Sequence, residues 1–127
     1  MSEVRALIVD DSSVMRKIVE RSLRQAGLEA LVVYEAGSGN EGLDLLKTQP
    51  VDLILSDINM PAMDGLEFVR QVKEQNLAPG VPVVMITTES SMESVQQAIQ
   101  AGAKSYIRKP FTVEQVKERV MPLLNTA

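Results

Sequence analysis

The sequence predicts an α/β fold, a five-stranded parallel sheet carrying five helices. Short runs rich in Val, Ile and Leu, of the kind buried on both faces of a parallel sheet, recur along the chain. Each is followed by a segment whose apolar residues fall at helical spacing, and strands alternating with helices give parallel sheets with right-handed crossovers. A third observation concerns where the runs stop. Ala6-Leu7-Ile8-Val9 meets Asp10-Asp11, Leu53-Ile54-Leu55 leads to Asp57, Val83-Val84-Met85-Ile86 ends at Thr87, and Tyr106-Ile107 precedes Arg108 and Lys109-Pro110.

The elements follow in order. After the first strand, Met15, Ile18, Val19, Ser22, Leu23 and Ala26 mark the apolar side of a helix closed by Gly27. Leu31 to Ala36 reads as the second strand, and Asn40 to Thr48 as a short helix with Leu43 and Leu46 inward. The third strand ends at Asp57. A loop follows, Asn59-Met60-Pro61-Ala62-Met63-Asp64-Gly65, with Met60 and Met63 expected at the surface. The third helix reaches about Asn76, with Phe68, Val69 and Val72 on its buried side. Ala78-Pro79-Gly80 turns the chain into the fourth strand. The fourth helix is expected from about Ser90 to Ala101, ended by Gly102. Thr112 caps a last helix through Val113, Val116 and Val120, and Pro122 is expected to kink or fray it.

At 127 residues the chain is the size of one domain, residues 1–127, with neither linker nor repeat. It contains no Cys and no His, which excludes disulfides, thiolate or imidazole metal sites, Ser-His-Asp chemistry and a phosphohistidine of its own. The net charge of −4 disfavours nonspecific nucleic-acid binding. The start of the chain lacks a signal-peptide pattern, and its apolar runs are far shorter than the roughly 18 residues of a membrane span. A cytoplasmic protein without membrane insertion is the expectation.

In open parallel sheets ligands bind beyond the carboxyl ends of the strands. Asp10, Asp11, Asp57, Thr87 and Lys109 should therefore meet in one pocket. Ionised carboxylates about 5 Å apart repel by roughly 3 kcal/mol at an effective dielectric near 20, which a cation relieves. Hard oxygen donors suit Mg²⁺, which also binds phosphate oxygens. Asp57 is the candidate nucleophile toward a phosphoryl group, with the Thr87 hydroxyl and the Lys109 ammonium as stabilisers. A plainer reading stands beside this one: Asp10 and Asp11 cap the first helix near Ser12-Ser13, and Lys109 is a solvated charge. The Lys109-Pro110 bond is a candidate for the cis form, which would aim the lysine back over the sheet edge.

These stretches resemble the receiver domains of two-component response regulators over essentially the full chain. The resemblance rests on Leu7-Ile8-Val9-Asp10-Asp11-Ser12, Leu53 through Pro61, Met63-Asp64-Gly65, Thr87, and Tyr106 through Phe111. It is strongest to stand-alone chemotaxis regulators. It implies a flavodoxin-like, doubly wound sheet in the order 2-1-3-4-5, with Asp57 accepting phosphate from a histidine kinase. It also implies Mg²⁺ on Asp11, Asp57 and the Asn59 main-chain carbonyl, with Asp10 acting through water. Thr87 and Lys109 would contact the phosphate, and Tyr106 would turn inward as Thr87 moves. Such a domain is a signalling protein that catalyses only its own phosphorylation and dephosphorylation.

Output is then expected on helix four, strand five and helix five, through Met92, Val95, Ile99, Tyr106 and Arg108. The alternative is that the large residues of helix four are core. Asn59, Thr88 and Glu89 flank the route of phosphate and attacking water, which implies loss of the phosphoryl group within seconds to minutes. Thr88 is larger than the residue the family often has there. Ser91-Met92 replaces the basic start of helix four, which bears on docking to a flagellar motor switch. Expected partners are the kinase, a downstream target and a phosphatase, for a monomer that phosphorylation could dimerise. Arg16, Lys17, Arg21 and Arg24 read as a solvated basic face or a docking surface. A phosphorelay outside chemotaxis, or an unphosphorylated scaffold, is the alternative role. Gly37-Ser38-Gly39-Asn40-Glu41-Gly42 is also a literal G-x-G-x-x-G, the mark of a small dinucleotide-binding module. That reading leaves Asp10, Asp11, Thr87 and Lys109 without a purpose.

Overall fold

In the computed structural model of the protein, residues 3–88 and 92–124 are described, Met92 by its backbone alone. Strands β1 (Val4–Val9), β2 (Leu31–Ala36), β3 (Leu53–Asp57), β4 (Val83–Thr87) and β5 (Ser105–Arg108) alternate with five helices. These are α1 (Ser13–Gln25), α2 (Gly39–Thr48), α3 (Gly65–Glu74), α4 (Met92–Ala101) and α5 (Val113–Leu124). Every strand pair is parallel, and the order is β2-β1-β3-β4-β5, as the sequence led us to expect. Parallel neighbours cannot be joined by tight turns, so each connection becomes a crossover containing a helix.

Successive strand residues point to opposite faces, and here both faces are covered. Leu7, Val9, Ile54, Val83 and Met85 pack with Leu43, Phe68, Val69 and Ala98 of α2, α3 and α4. Ala6, Ile8, Leu55, Val84 and Ile86 pack with Val19, Leu23, Val116 and Val120 of α1 and α5. This is why β1, β3 and β4 carry the apolar runs, while the edge strands β2 and β5 are only partly buried. Each fully buried Leu, Ile or Phe contributes about 1.5–3 kcal/mol.

The helix starts carry their own caps. The hydroxyl oxygens of Ser12 and Ser38 accept from Met15 N and Glu41 N, and the Asp64 carboxylate accepts from Glu67 N. Thr112 and Gln115 form a reciprocal pair, each side chain accepting the other's main-chain N–H. Neither Asp10 nor Asp11 is the α1 cap. Ser12 fills that position, and Asp10 Oδ1 accepts from Ser12 N at 2.9 Å.

Four expectations need correction. β1 begins at Val4, two residues before the apolar run. Ile18 is exposed rather than inward, because α1 buries only the narrow stripe through Val19, Ser22 and Leu23. Met60 is buried, since its loop folds down and inserts it into the cluster under α2, α3 and α4. Helix α5 continues through Pro122 to Leu124, the last described residue, so the proline does not end the helix.

Candidate functional site

The register lines up the strand ends. Val9 pairs with Ser56, Ser56 with Met85, and Met85 with Tyr106. Asp10 and Asp57 each stand one residue beyond that row, at the carboxyl ends of the two central strands. Thr87 pairs with Arg108, and the next residue, Lys109, donates its main-chain N–H to Thr87 O at 2.7 Å. Sheet order puts the reversal of winding between β1 and β3, where Asp10, Asp11 and Asp57 lie.

The aspartates converge. One carboxylate oxygen from each of Asp10, Asp11 and Asp57 lies within 4.8 Å of the others. Asp10 is 3% and Asp57 7% exposed, while Asp11 opens to solvent. Lys109 Nζ sits 3.6 Å from Asp10 Oδ2 and 3.6 Å from Asp57 Oδ1, and the Lys109-Pro110 bond is cis. Asn59 N donates to Asp57 Oδ1 at 3.4 Å, so the start of the β3–α3 loop curls over the carboxylate. Gly65 opens α3 against the same turn, and a Cβ there would overlap the Asp57 carbonyl.

Electrostatics sharpen the picture. Burial pushes the Asp57 carboxyl above the usual carboxylate range; the Lys109 charge pulls it back and Asp10 pushes it further up. One ammonium thus faces two buried carboxylates and a third at the rim. Three hard carboxylates within a few ångströms, carrying more negative charge than Lys109 offsets, suit a divalent cation bound through oxygen. The residues present fit Mg²⁺.

Thr87 is fully buried at the end of β4. It stands two residues after Met85, the partner of Tyr106, so Thr87 and Tyr106 share one face on adjacent strands, as diagonal neighbours. Tyr106 is half-buried against the cluster under α2, α3 and α4, and the Arg119 guanidinium lies 4.8 Å from its ring centroid. Arg108 and Thr88 are exposed.

Helix α4 divides between the two expectations. Val95 is 5% exposed and belongs to the core, with Ala98 beside it, so at this residue the core alternative holds and the output surface loses Val95. Ile99, at 50% exposure, faces solvent. The expectations on Glu89 and on the Met92 side chain lie outside the described residues.

Packing accounts for Gly39 and Gly42 of Gly37-Ser38-Gly39-Asn40-Glu41-Gly42. A Cβ on Gly39 would strike Met63, and one on Gly42 would strike Phe68. The helix start they form is filled by the chain's own acid, for Glu41 Oε1 accepts from Gly37 N at 3.0 Å. The loop also follows the edge strand β2, away from the reversal point. These features argue against a dinucleotide site.

Sequence reasoning missed one residue. Arg16 is not a solvated charge: its side chain is 16% exposed, its Nε donates to Glu35 Oε1 at 2.9 Å, and its Nη1 donates to the Asp10 carbonyl at 2.6 Å. The available signal was the basic residue on the first turns of α1 together with Glu35 at the end of β2, brought together only by the β1–β2 pairing.

Residues 6–121 match the model of the response regulator receiver domain. The chain is 40% identical to a chemotaxis protein CheY homolog of Campylobacter jejuni, over 97% of this chain and 94% of that protein. It is 44% identical to the DNA-binding transcriptional regulator NtrC of Klebsiella pneumoniae, over 87% of this chain but 22% of that protein. The structure of chemotaxis response regulator CheY4 of Vibrio cholerae superposes with a TM-score of 0.86 at 35% identity, covering 97% of this chain and 100% of that one. Among the described residues, no helix is long and apolar enough to cross a membrane.

Proposed function

The chain belongs to the response regulator receiver family, and from that premise we propose that Asp57 is its phosphoacceptor and that the whole chain acts as one receiver. Receiver domains are signalling proteins that histidine kinases phosphorylate, that bind Mg²⁺ in an acidic pocket and that act on downstream targets. The observation that carries the reading is the convergence of three aspartate carboxylates within 4.8 Å, with Lys109 Nζ 3.6 Å from Asp57.

In the proposed step an Asp57 oxygen bonds to phosphorus as the bond from phosphorus to the donor imidazole nitrogen breaks. The electron pair leaves with the nitrogen. Lys109 lies beside Asp57 to offset the charge that builds on the phosphoryl oxygens, and Thr87, at the neighbouring strand end, supplies a hydroxyl donor. Asp10, Asp11, Asp57 and the Asn59 carbonyl would hold Mg²⁺, which contributes positive charge next to the incoming phosphoryl group. Asn59, Thr88 and Glu89 would govern access of the water that removes it.

Phosphorylation adds about −1.5 to −2 charge. Its effect would pass through Thr87 and Tyr106, whose shared face and adjacent strands support such coupling. The output surface is proposed on α4, β5 and α5, through Ile99, Tyr106 and Arg108. The chemotaxis protein CheY homolog of Campylobacter jejuni and chemotaxis protein CheY1 of Helicobacter pylori are matched along nearly their whole length. A role in chemotaxis, with a motor switch component as target, is therefore favoured over another phosphorelay. Incubation with phosphorylated kinase or acetyl phosphate and Mg²⁺ should label the wild type and not Asp57→Asn. Equal labelling of the two would remove Asp57 as the acceptor.

A further inference from the structure

We infer that Arg16 is a positioning residue for the metal-binding end of β1, an inference that rests on the Mg²⁺ site proposed above. The last β1–β3 pair is Val9 with Ser56, so Asp10 and Asp11 stand past the end of that ladder. The main-chain N–H of Asp10 still reaches Ala36 O of β2, at 3.0 Å. Its carbonyl belongs to the peptide plane joining Asp10 to Asp11, the plane that sets the two carboxylates relative to each other. Arg16 Nη1 takes that carbonyl at 2.6 Å. The same guanidinium is fixed from its other side by Glu35 Oε1, at 2.9 Å from Nε, and Lys17 Nζ holds Glu35 Oε2 at 2.8 Å.

The guanidinium suits this because it is planar and rigid, with donors pointing in two directions at once. Lysine, a single point of charge on a flexible stem, cannot span both acceptors in the same way. Glu35 is shared between Arg16 and Lys17, so it offsets the Arg16 charge only in part, and the role argued for Arg16 is the geometric one. Groups that orient metal ligands from behind are typically worth 10–100-fold in metal affinity.

Charge and geometry make opposite predictions. Were Arg16 only a cation near an acidic pocket, its removal would tighten Mg²⁺ binding; as a positioner, its removal weakens binding. Mg²⁺ titrated calorimetrically into the full chain, without any phosphodonor, reads this directly. Arg16→Met should bind Mg²⁺ roughly tenfold more weakly than wild type, and the double variant Arg16→Met/Glu35→Gln, which leaves net charge unchanged, should weaken by a similar factor. Arg16→Lys keeps the charge and should also weaken binding, and it carries the test if Arg16→Met does not fold by circular dichroism. Wild-type or tighter affinity in Arg16→Met, or wild-type affinity in Arg16→Lys, overturns the inference while leaving the Mg²⁺ site in place. Absence of Mg²⁺ binding by the wild type itself would sink the site and this inference together.

Discussion

Asp57 and Glu35 are acids near the ends of strands on either side of β1, yet their surroundings push them in opposite directions. Glu35 is held below the usual carboxylate range, first by its hydrogen bond from Lys17 and then by that from Arg16. Asp57 is held above it, first by burial and also by Asp10, with Lys109 only partly compensating. Around Glu35 two cations share one acid, and the group is satisfied by the protein alone. Around Asp57 three acids share one ammonium, and the group is left to be satisfied by something else. A structural ion pair and the proposed phosphoacceptor thus differ in their neighbours rather than in residue type. The difference fits the cation and the phosphoryl group proposed for the pocket.

The comparison can be broken most severely at Lys109. Replacing it by Met removes the cation that faces Asp10 and Asp57. The rate of phosphorylation by acetyl phosphate should fall roughly 10²–10³-fold, the usual cost of losing a charge-stabilising donor. Stopped-flow measurement at saturating Mg²⁺ checks this, and an unchanged rate would show that the ammonium plays no part.

Glu35→Gln tests the satisfied side. It weakens two charge-assisted hydrogen bonds on a half-buried acid, and urea denaturation at pH 7 should show a loss of about 1–2 kcal/mol. That loss should be pH-dependent. The folded Glu35 carboxyl titrates below its unfolded value of about 4.3, so its contribution is present above that value and fades as pH falls through the lower folded one. For Asp57 the sign reverses. Its folded carboxyl titrates above the unfolded value of about 3.9, so stability is fully present below that value and is lost as pH rises through the folded one. On acidification in EDTA, the gap between wild type and an Asp57→Asn variant should therefore narrow as pH falls through a value above about 3.9, while the gap between wild type and Glu35→Gln should persist until pH falls below about 4.3. A wild-type gap to Asp57→Asn that does not narrow until below about 3.9, or a gap to Glu35→Gln already lost above about 4.3, would mean the environment concerned has been misassigned.

Much of this was legible in the sequence, and the exceptions have physical causes. The sheet and its pocket could be read because each site residue ends an apolar run, and a run buried on both faces announces itself without any partner in view. The facing of α4 could not. Val95, Ala98 and Ile99 are compatible with more than one rotation of the helix about its axis, and packing against the sheet chose the one that buries Val95 and exposes Ile99. Met60 lies in a loop, where no periodicity signals burial. Arg16 looked like one more charge on a basic helix because its acceptor, Glu35, lies 19 positions away on another element. The spacing of G-x-G-x-x-G carried a dinucleotide-site signal, whereas in three dimensions Gly39 packs against Met63 and Gly42 against Phe68.

The claim beneath all of this is that Asp57 sits among acids the protein does not neutralise by itself. Urea midpoints of wild type and Asp57→Asn, each in EDTA and in excess Mg²⁺ at pH 7, test it most directly. Relief of like-charge repulsion should make Asp57→Asn more stable in EDTA by about 1–3 kcal/mol. Mg²⁺ should then raise the wild type far more than the variant, narrowing or reversing the gap. Equal stabilities in EDTA, with equal responses to Mg²⁺, would contradict the account.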